Sequence, residues 1–209
     1  MMLNAIAIPA KSESPQGSIV LLHGWGANAQ DVSFLCSLLD LPDVQFFLPD
    51  APFPHPYSPE GKMWYDLSSA NFRSDFSQQS DLQTSRQALI DWLTSLEDKT
   101  GIPLSRTILG GFSQGGAMTL EVGLALPLAG LMILSGYQHG ALNPRSSIPP
   151  ILMVHGKQDQ VVPIAAAQQA KANLTQIGAA VEYHEFEMGH EISPLVLQQA
   201  YKFVQRVLG

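Results

Sequence analysis

Gly111-Phe112-Ser113-Gln114-Gly115 sets one hydroxyl between two glycines, a pattern in which a serine is presented as a nucleophile. To lift that hydroxyl clear of a sheet, the chain must turn sharply from strand into helix. The serine then sits in a strained backbone conformation, and side chains two residues to either side collide. An apolar run, Arg106 to Gly111, precedes the turn, and a helical pattern, Gly115 to Leu126, follows it. A serine at neutral pH is a weak nucleophile; it needs a base, and the base needs an orienting carboxylate. Six histidines are available. His190, in "FEMGHEI", follows the last predicted strand and precedes the last helix, which makes it the expected base. His184 falls inside that strand and reads as structural, and His55 and His139 are loop residues without supporting neighbours. Asp159, in "ILMVHGKQDQVVP", lies beyond a strand end and between serine and base in chain order, so it is the expected orienter. Glu191 is set aside because adjacent side chains seldom align to hold a neighbour's imidazole.

A tetrahedral intermediate also needs N–H donors for its oxyanion. The backbone N–H of Gln114, at the positive start of a helix, is one. The second is expected from "LLHGWGANAQD", where the turn after His23-Gly24 aims the N–H of Trp25 inward. His23 reads as a hydrogen-bonding partner that steadies this loop. Phosphate-binding readings fail on detail: Gly116 stands where a P-loop lysine is required, and no G-x-G-x-x-G follows the early strands.

The elements that must carry these residues are legible as alternating runs. Strands are expected over Ser18–Gly24, Val44–Asp50, Arg106–Gly111, Leu128–Gly136, Ile151–Gly156 and Val181–Phe186, with Met1–Ile8 as an edge. Several are continuously apolar, as in a parallel sheet covered on both faces. Helices are expected over Gln30–Leu39, Asp81–Asp98, Gly115–Leu126, Ile164–Gln176 and Pro194–Leu208. The alternation predicts one three-layer α/β domain over residues 1–209. Residues 51–80 show no periodicity, and the reading there is a lid-like or pocket-lining loop. The order Ser113, Asp159, His190 is that of the α/β hydrolases.

Composition narrows the partners. The chain carries a net charge of −7, which disfavours nucleic acid. No apolar run approaches a membrane span, and the N-terminus lacks the basic region of a signal peptide. Cys36 is the single cysteine, so no intrachain disulfide forms; it reads as a small core residue, and the chain as cytoplasmic. No metal or organic cofactor is implied.

With these residues in hand, the chain resembles the phospholipase/carboxylesterase family that includes the acyl-protein thioesterases. The resemblance rests on "LLHGWGAN", "FFLPDAP", "MWYDL", "GFSQGGAM", "LSG", "HGKQDQVVP" and "GHEI", which run nearly the whole chain. It implies an α/β-hydrolase fold with about seven strands and helices on both faces, and hydrolysis of carboxylic esters or thioesters through an acyl-enzyme. In that family's pattern Ser113 is the nucleophile, His190 the base and Asp159 its orienter, with oxyanion N–H groups from Trp25 and Gln114. It also places Trp64 beside the acyl pocket. Family members often carry leucine where this chain has Trp25, so the indole is expected to reshape that pocket, while Phe72 and Phe76 add apolar contact. The alternatives are a hydrolase of a small soluble ester or lactone and a non-catalytic binding module on the same scaffold.

Overall fold

The computed structural model describes residues 3–67, 76, 78–145 and 147–209. Its strands are β1 (Ala5–Ile8), β2 (Gly17–Leu22), β3 (Val44–Pro49), β4 (Phe53–Pro54), β5 (Lys62–Met63), β6 (Thr107–Phe112), β7 (Gly130–Leu134), β8 (Ile151–Gly156) and β9 (Val181–Phe186). Among the described residues, seven of them form one sheet in the order β1-β3-β2-β6-β7-β8-β9, and β4 pairs with β5 alone. Within the seven-stranded sheet only β1 runs antiparallel to its neighbour; the register from β3 across to β9 is parallel throughout. The strands read as continuously apolar, β2, β7 and β8, are buried along their whole length, whereas β9 at the edge is only half-buried.

Helices α1 (Ala29–Val32), α2 (Phe34–Leu39), α3 (Ser80–Thr100), α4 (Gln114–Gly123), α5 (Ile164–Gln176) and α6 (Pro194–Leu208) cover the sheet. Alternation along the strands divides the core in two. Val20, Leu22 and Leu109 join Leu89 and Leu93 of α3 and Ala117 of α4 in one cluster. Ile19, Leu21 and Ile108 join Leu35 and Leu39 of α2 and Phe203 of α6 in the other. Successive strand side chains point to opposite faces, so a strand apolar at every position must be covered on both. Cys36 lies in the second cluster, and burial pushes its thiol up to about 11. No helix among the described residues is long and apolar enough to cross a membrane.

Two expectations need correcting. The helix predicted over Gln30–Leu39 is two helices, because Ser33 tightens the chain between them: its N–H and its hydroxyl both donate to the Gln30 carbonyl, at 3.2 and 2.8 Å. Within 51–80, the aperiodic stretch contains the β4–β5 hairpin, and α3 begins at Ser80. Strands of two residues are too short to show a hydrophobic period.

Candidate active site

The turn from β6 into α4 puts Ser113 at φ 56°, ψ −117°, a conformation that costs a non-glycine residue about 1–3 kcal/mol. The surroundings hold it there. Ser113 N–H donates to Leu134 O of β7 at 2.8 Å, and Ser113 O accepts Ala117 N–H at 3.0 Å. A Cβ at Gly111 would lie 2.3 Å from the Gly115 carbonyl, and one at Gly115 would lie 2.2 Å from Leu22 O. Both glycines are therefore required by close approach, as the sharp turn demands. The Ser113 side chain does not cap α4, so its hydroxyl is not absorbed by the helix it precedes.

His190 and Asp159 meet across the ends of β8 and β9. His190 Nδ1 lies 2.7 Å from Asp159 Oδ2, and the Asp159 carboxylate is wholly buried. Its other oxygen accepts the Val161 and Val162 N–H groups at 2.9 and 2.8 Å. A carboxylate so bonded accepts only, so the His190 Nδ1 carries the proton and Nε2 is left for chemistry. Phe112, beside the serine, packs its ring 4.7 Å from the His190 imidazole. Gly156 brings the two loops together: a Cβ there would strike Met188 O and Gly189 O at 2.4 Å. Glu191 is exposed at the cavity rim, and the carboxylate bonded to the His190 imidazole is that of Asp159. His155, not expected near the site, places Nε2 2.9 Å from Val162 O and 3.4 Å from Asp159 Oδ2. Burial lowers its pKa, so it is a neutral neighbour of that carboxylate.

The loop bearing Trp25 is held from several sides. Gly26 N–H donates to Lys62 O, and Lys62 N–H to Ala27 O, at 2.9 and 2.8 Å. Asn28 caps α1, and Asp50 accepts the Ala29 N–H at 2.8 Å. His23 is fully buried; its Nε2 accepts the Ala51 N–H at 3.0 Å, which leaves Nδ1–H to donate to Gly24 O at 2.8 Å. Desolvation lowers its pKa. Among the described residues, neither the Trp25 N–H nor the Gln114 N–H donates to a protein acceptor.

Ser113, His190, Trp25 and Phe112 share the walls of a cavity of about 430 Å³, completed by Val32, Leu35, Leu67, Tyr137, Val162 and Ile192. This lining is mostly apolar and suits an acyl chain. Two residues expected here stand elsewhere. Trp64 is fully buried outside the cavity walls: its indole N–H donates to His23 O at 3.1 Å, and its own N–H donates to Gln114 Oε1 at 2.9 Å. Phe76 packs among Tyr65, Tyr137 and His139, ring centroids 5.9 to 6.1 Å away. Phe72 lies outside the described residues. The Gln114 side chain is a feature that sequence reasoning missed. Its Nε2 also donates to Tyr65 O at 2.7 Å, so it clamps residues 64–65 against the elbow. The signal was present: a buried glutamine at the start of an apolar helix must find partners.

His139 was expected to stand alone and does not. Its Nδ1 lies 3.1 Å from Glu121 Oε2 of α4, and its Nε2 lies 2.7 Å from the Tyr65 hydroxyl. These neighbours are far away in sequence.

Residues 3–208 match the family model described as Phospholipase/Carboxylesterase. Acyl-protein thioesterase 1 of Saccharomyces cerevisiae is 29% identical over 99% of this chain and 100% of its own. Acyl-protein thioesterase 1 of Neurospora crassa is 33% identical over 80% of this chain and 74% of its own. The solved structure of esterase PE8 superposes with a TM-score of 0.89 at 30% identity, covering 99% of this chain and 100% of that one.

Proposed function

The chain belongs to the phospholipase/carboxylesterase family, and from that premise we propose that it hydrolyses carboxylic esters or thioesters through an acyl-enzyme on Ser113. His190 Nε2 takes the Ser113 proton as Oγ attacks the carbonyl carbon. The oxyanion that forms is bound by the N–H groups of Trp25 and Gln114. The intermediate collapses with expulsion of the alcohol or thiol, which leaves carrying the proton returned by His190. Water then gives its proton to His190 and attacks the acyl carbon, and the acid departs as Ser113 recovers its proton. Asp159 keeps Nδ1 protonated and stabilises the imidazolium without itself taking the proton.

The observation that carries this reading is the 2.7 Å bond from His190 to a buried carboxylate, with His190 and Ser113 on the walls of one apolar cavity. The acyl group is assigned to the wall of Val32, Leu35, Val162 and Ile192, with Trp25 narrowing it. The names of the relatives, thioesterase and esterase, support both leaving-group classes. Hydrolysis of a graded series of p-nitrophenyl acyl esters, wild type beside Ser113→Ala, tests it. Turnover by the wild type and background rates for the variant are expected; an active variant, or an inert wild type, refutes the assignment.

A further inference from the structure

The buried polar chain that begins at His139 is not used by the proposed mechanism, yet it ends at the cavity. Arg86 of α3 faces Glu121 Oε1 at 3.3 Å, and Glu121 Oε2 faces His139 Nδ1 at 3.1 Å. His139 Nε2 is 2.7 Å from the Tyr65 hydroxyl, which is 2.5 Å from the Tyr137 hydroxyl. Tyr65, Tyr137 and His139 are all buried, and burial raises the pKa of both phenols, so each tyrosine keeps its single proton. The order of donors follows. A carboxylate only accepts, so His139 Nδ1 bears hydrogen; in that tautomer Nε2 accepts from Tyr65, and Tyr65, its proton committed, accepts from Tyr137. His139, Tyr65 and Tyr137 each have a defined direction, the condition under which a buried network specifies one arrangement.

The same histidine reaches a second stretch of chain. Its carbonyl accepts the Phe76 N–H at 3.0 Å, and nearby Gln79 Nε2 donates to Asp66 O at 2.8 Å. Tyr65 and Phe76 are thus tied to the loop after β7 and Asp66 to the start of α3; Leu67, two residues beyond Tyr65, and Tyr137, two before His139, line the cavity.

We propose that His139 is a positioning residue for the substrate cavity, fixing the wall formed by Leu67 and Tyr137 through its bonds to Tyr65 and Phe76. The inference rests on the reading of this cavity as the acyl site. It makes His139 a determinant of how well a long acyl group is held, with little effect on the chemical step.

The test compares acetyl and decanoyl p-nitrophenyl esters on wild type, Ser113→Ala, His139→Leu, Glu121→Leu and Glu121→Gln. For His139→Leu, KM for the decanoyl ester is expected to rise about tenfold, while kcat on the acetyl ester falls by less than about threefold. Glu121→Gln, which retains an acceptor for Nδ1–H, is expected to stay near wild type, and Glu121→Leu to move towards His139→Leu. Should His139→Leu not fold, Glu121→Leu, on a partly exposed helix position, carries the test. The ¹⁵N spectrum of the His139 imidazole is expected to show a protonated Nδ1 in wild type and Glu121→Gln, and loss of that preference in Glu121→Leu. Equal losses on both esters, unchanged kinetics, or a protonated Nε2 in wild type overturn the proposal. An inert wild type, or an active Ser113→Ala, instead removes the hydrolase reading on which it rests.

Discussion

Two histidines in this molecule hold a carboxylate through Nδ1, and they differ in what they do with the other nitrogen. His190 bonds Asp159 at 2.7 Å, and His139 faces Glu121 at 3.1 Å. His139 then spends Nε2 on the Tyr65 hydroxyl, with its side chain wholly buried. His190 Nε2 has no hydrogen-bond partner among the described residues, and the ring lines a cavity it shares with Ser113. A carboxylate–imidazole pair is therefore not in itself a reactive device. With both nitrogens bonded it is a fastener; with one left open on the wall of a cavity that Ser113 also lines, it is available for the base role proposed above.

Substitutions at the two pairs put this contrast to the test. The largest effect is expected at the open pair: Ser113→Ala or His190→Ala lowers kcat by about 10⁴-fold or more. Ester hydrolysis by folded variants measures this, and a loss under tenfold would collapse the distinction. Next, Asp159→Asn is expected to cost about 10³–10⁴-fold, because an amide no longer enforces the Nδ1–H tautomer. Glu121→Gln, the matching change at the closed pair, should leave kcat on a short ester within about threefold. Comparable losses from the two amides would mean that the pairs are alike.

Stability should respond in the opposite sense. His139→Leu removes the acceptor of the buried Tyr65 O–H and is expected to cost about 1–3 kcal/mol, read from the urea midpoint, whereas His190→Leu at the cavity edge should cost less. Stability should also depend on pH. His23 and His155 have folded-state pKa values lowered by burial below the ordinary 6.5. At pH above 6.5 neither state binds the proton, so their contribution is fully present. As pH falls below 6.5 the unfolded chain takes up protons that the folded protein resists, and stability declines by up to about 1.4 kcal/mol per pH unit for each histidine. Denaturant midpoints between neutral pH and pH ~5 should drop accordingly; a midpoint that rises on acidification would show that these imidazoles are not buried neutral.

The parts of this molecule that could be read from the chain are those whose causes are local. The apolar runs of β2, β7 and β8 declare a sheet covered on both faces, and the glycines around Ser113 declare a turn too tight for side chains. Trp64, Phe76 and His139 were misplaced for the converse reason. Each takes its position from partners distant in sequence: Trp64 from His23 and Gln114, Phe76 from Tyr137, and His139 from Glu121 and Tyr65. An aromatic residue near a recognisable motif looks like pocket lining until the backbone that carries it is seen to be clamped. The close approach at Gly156 is likewise invisible without the loop that passes it.

The position of Cys36 has a practical consequence. It is the chain's single cysteine, and it sits in α2, one residue beyond Leu35 of the cavity wall. With its thiol buried and its pKa pushed up to about 11, almost no thiolate is available to an alkylating reagent while α2 is docked. The labelling rate of wild-type protein thus acts as a clock for transient undocking of one helix, with no engineered probe and no competing thiol. A ligand that fills the cavity against Leu35 should slow that clock by the factor with which it favours the docked state.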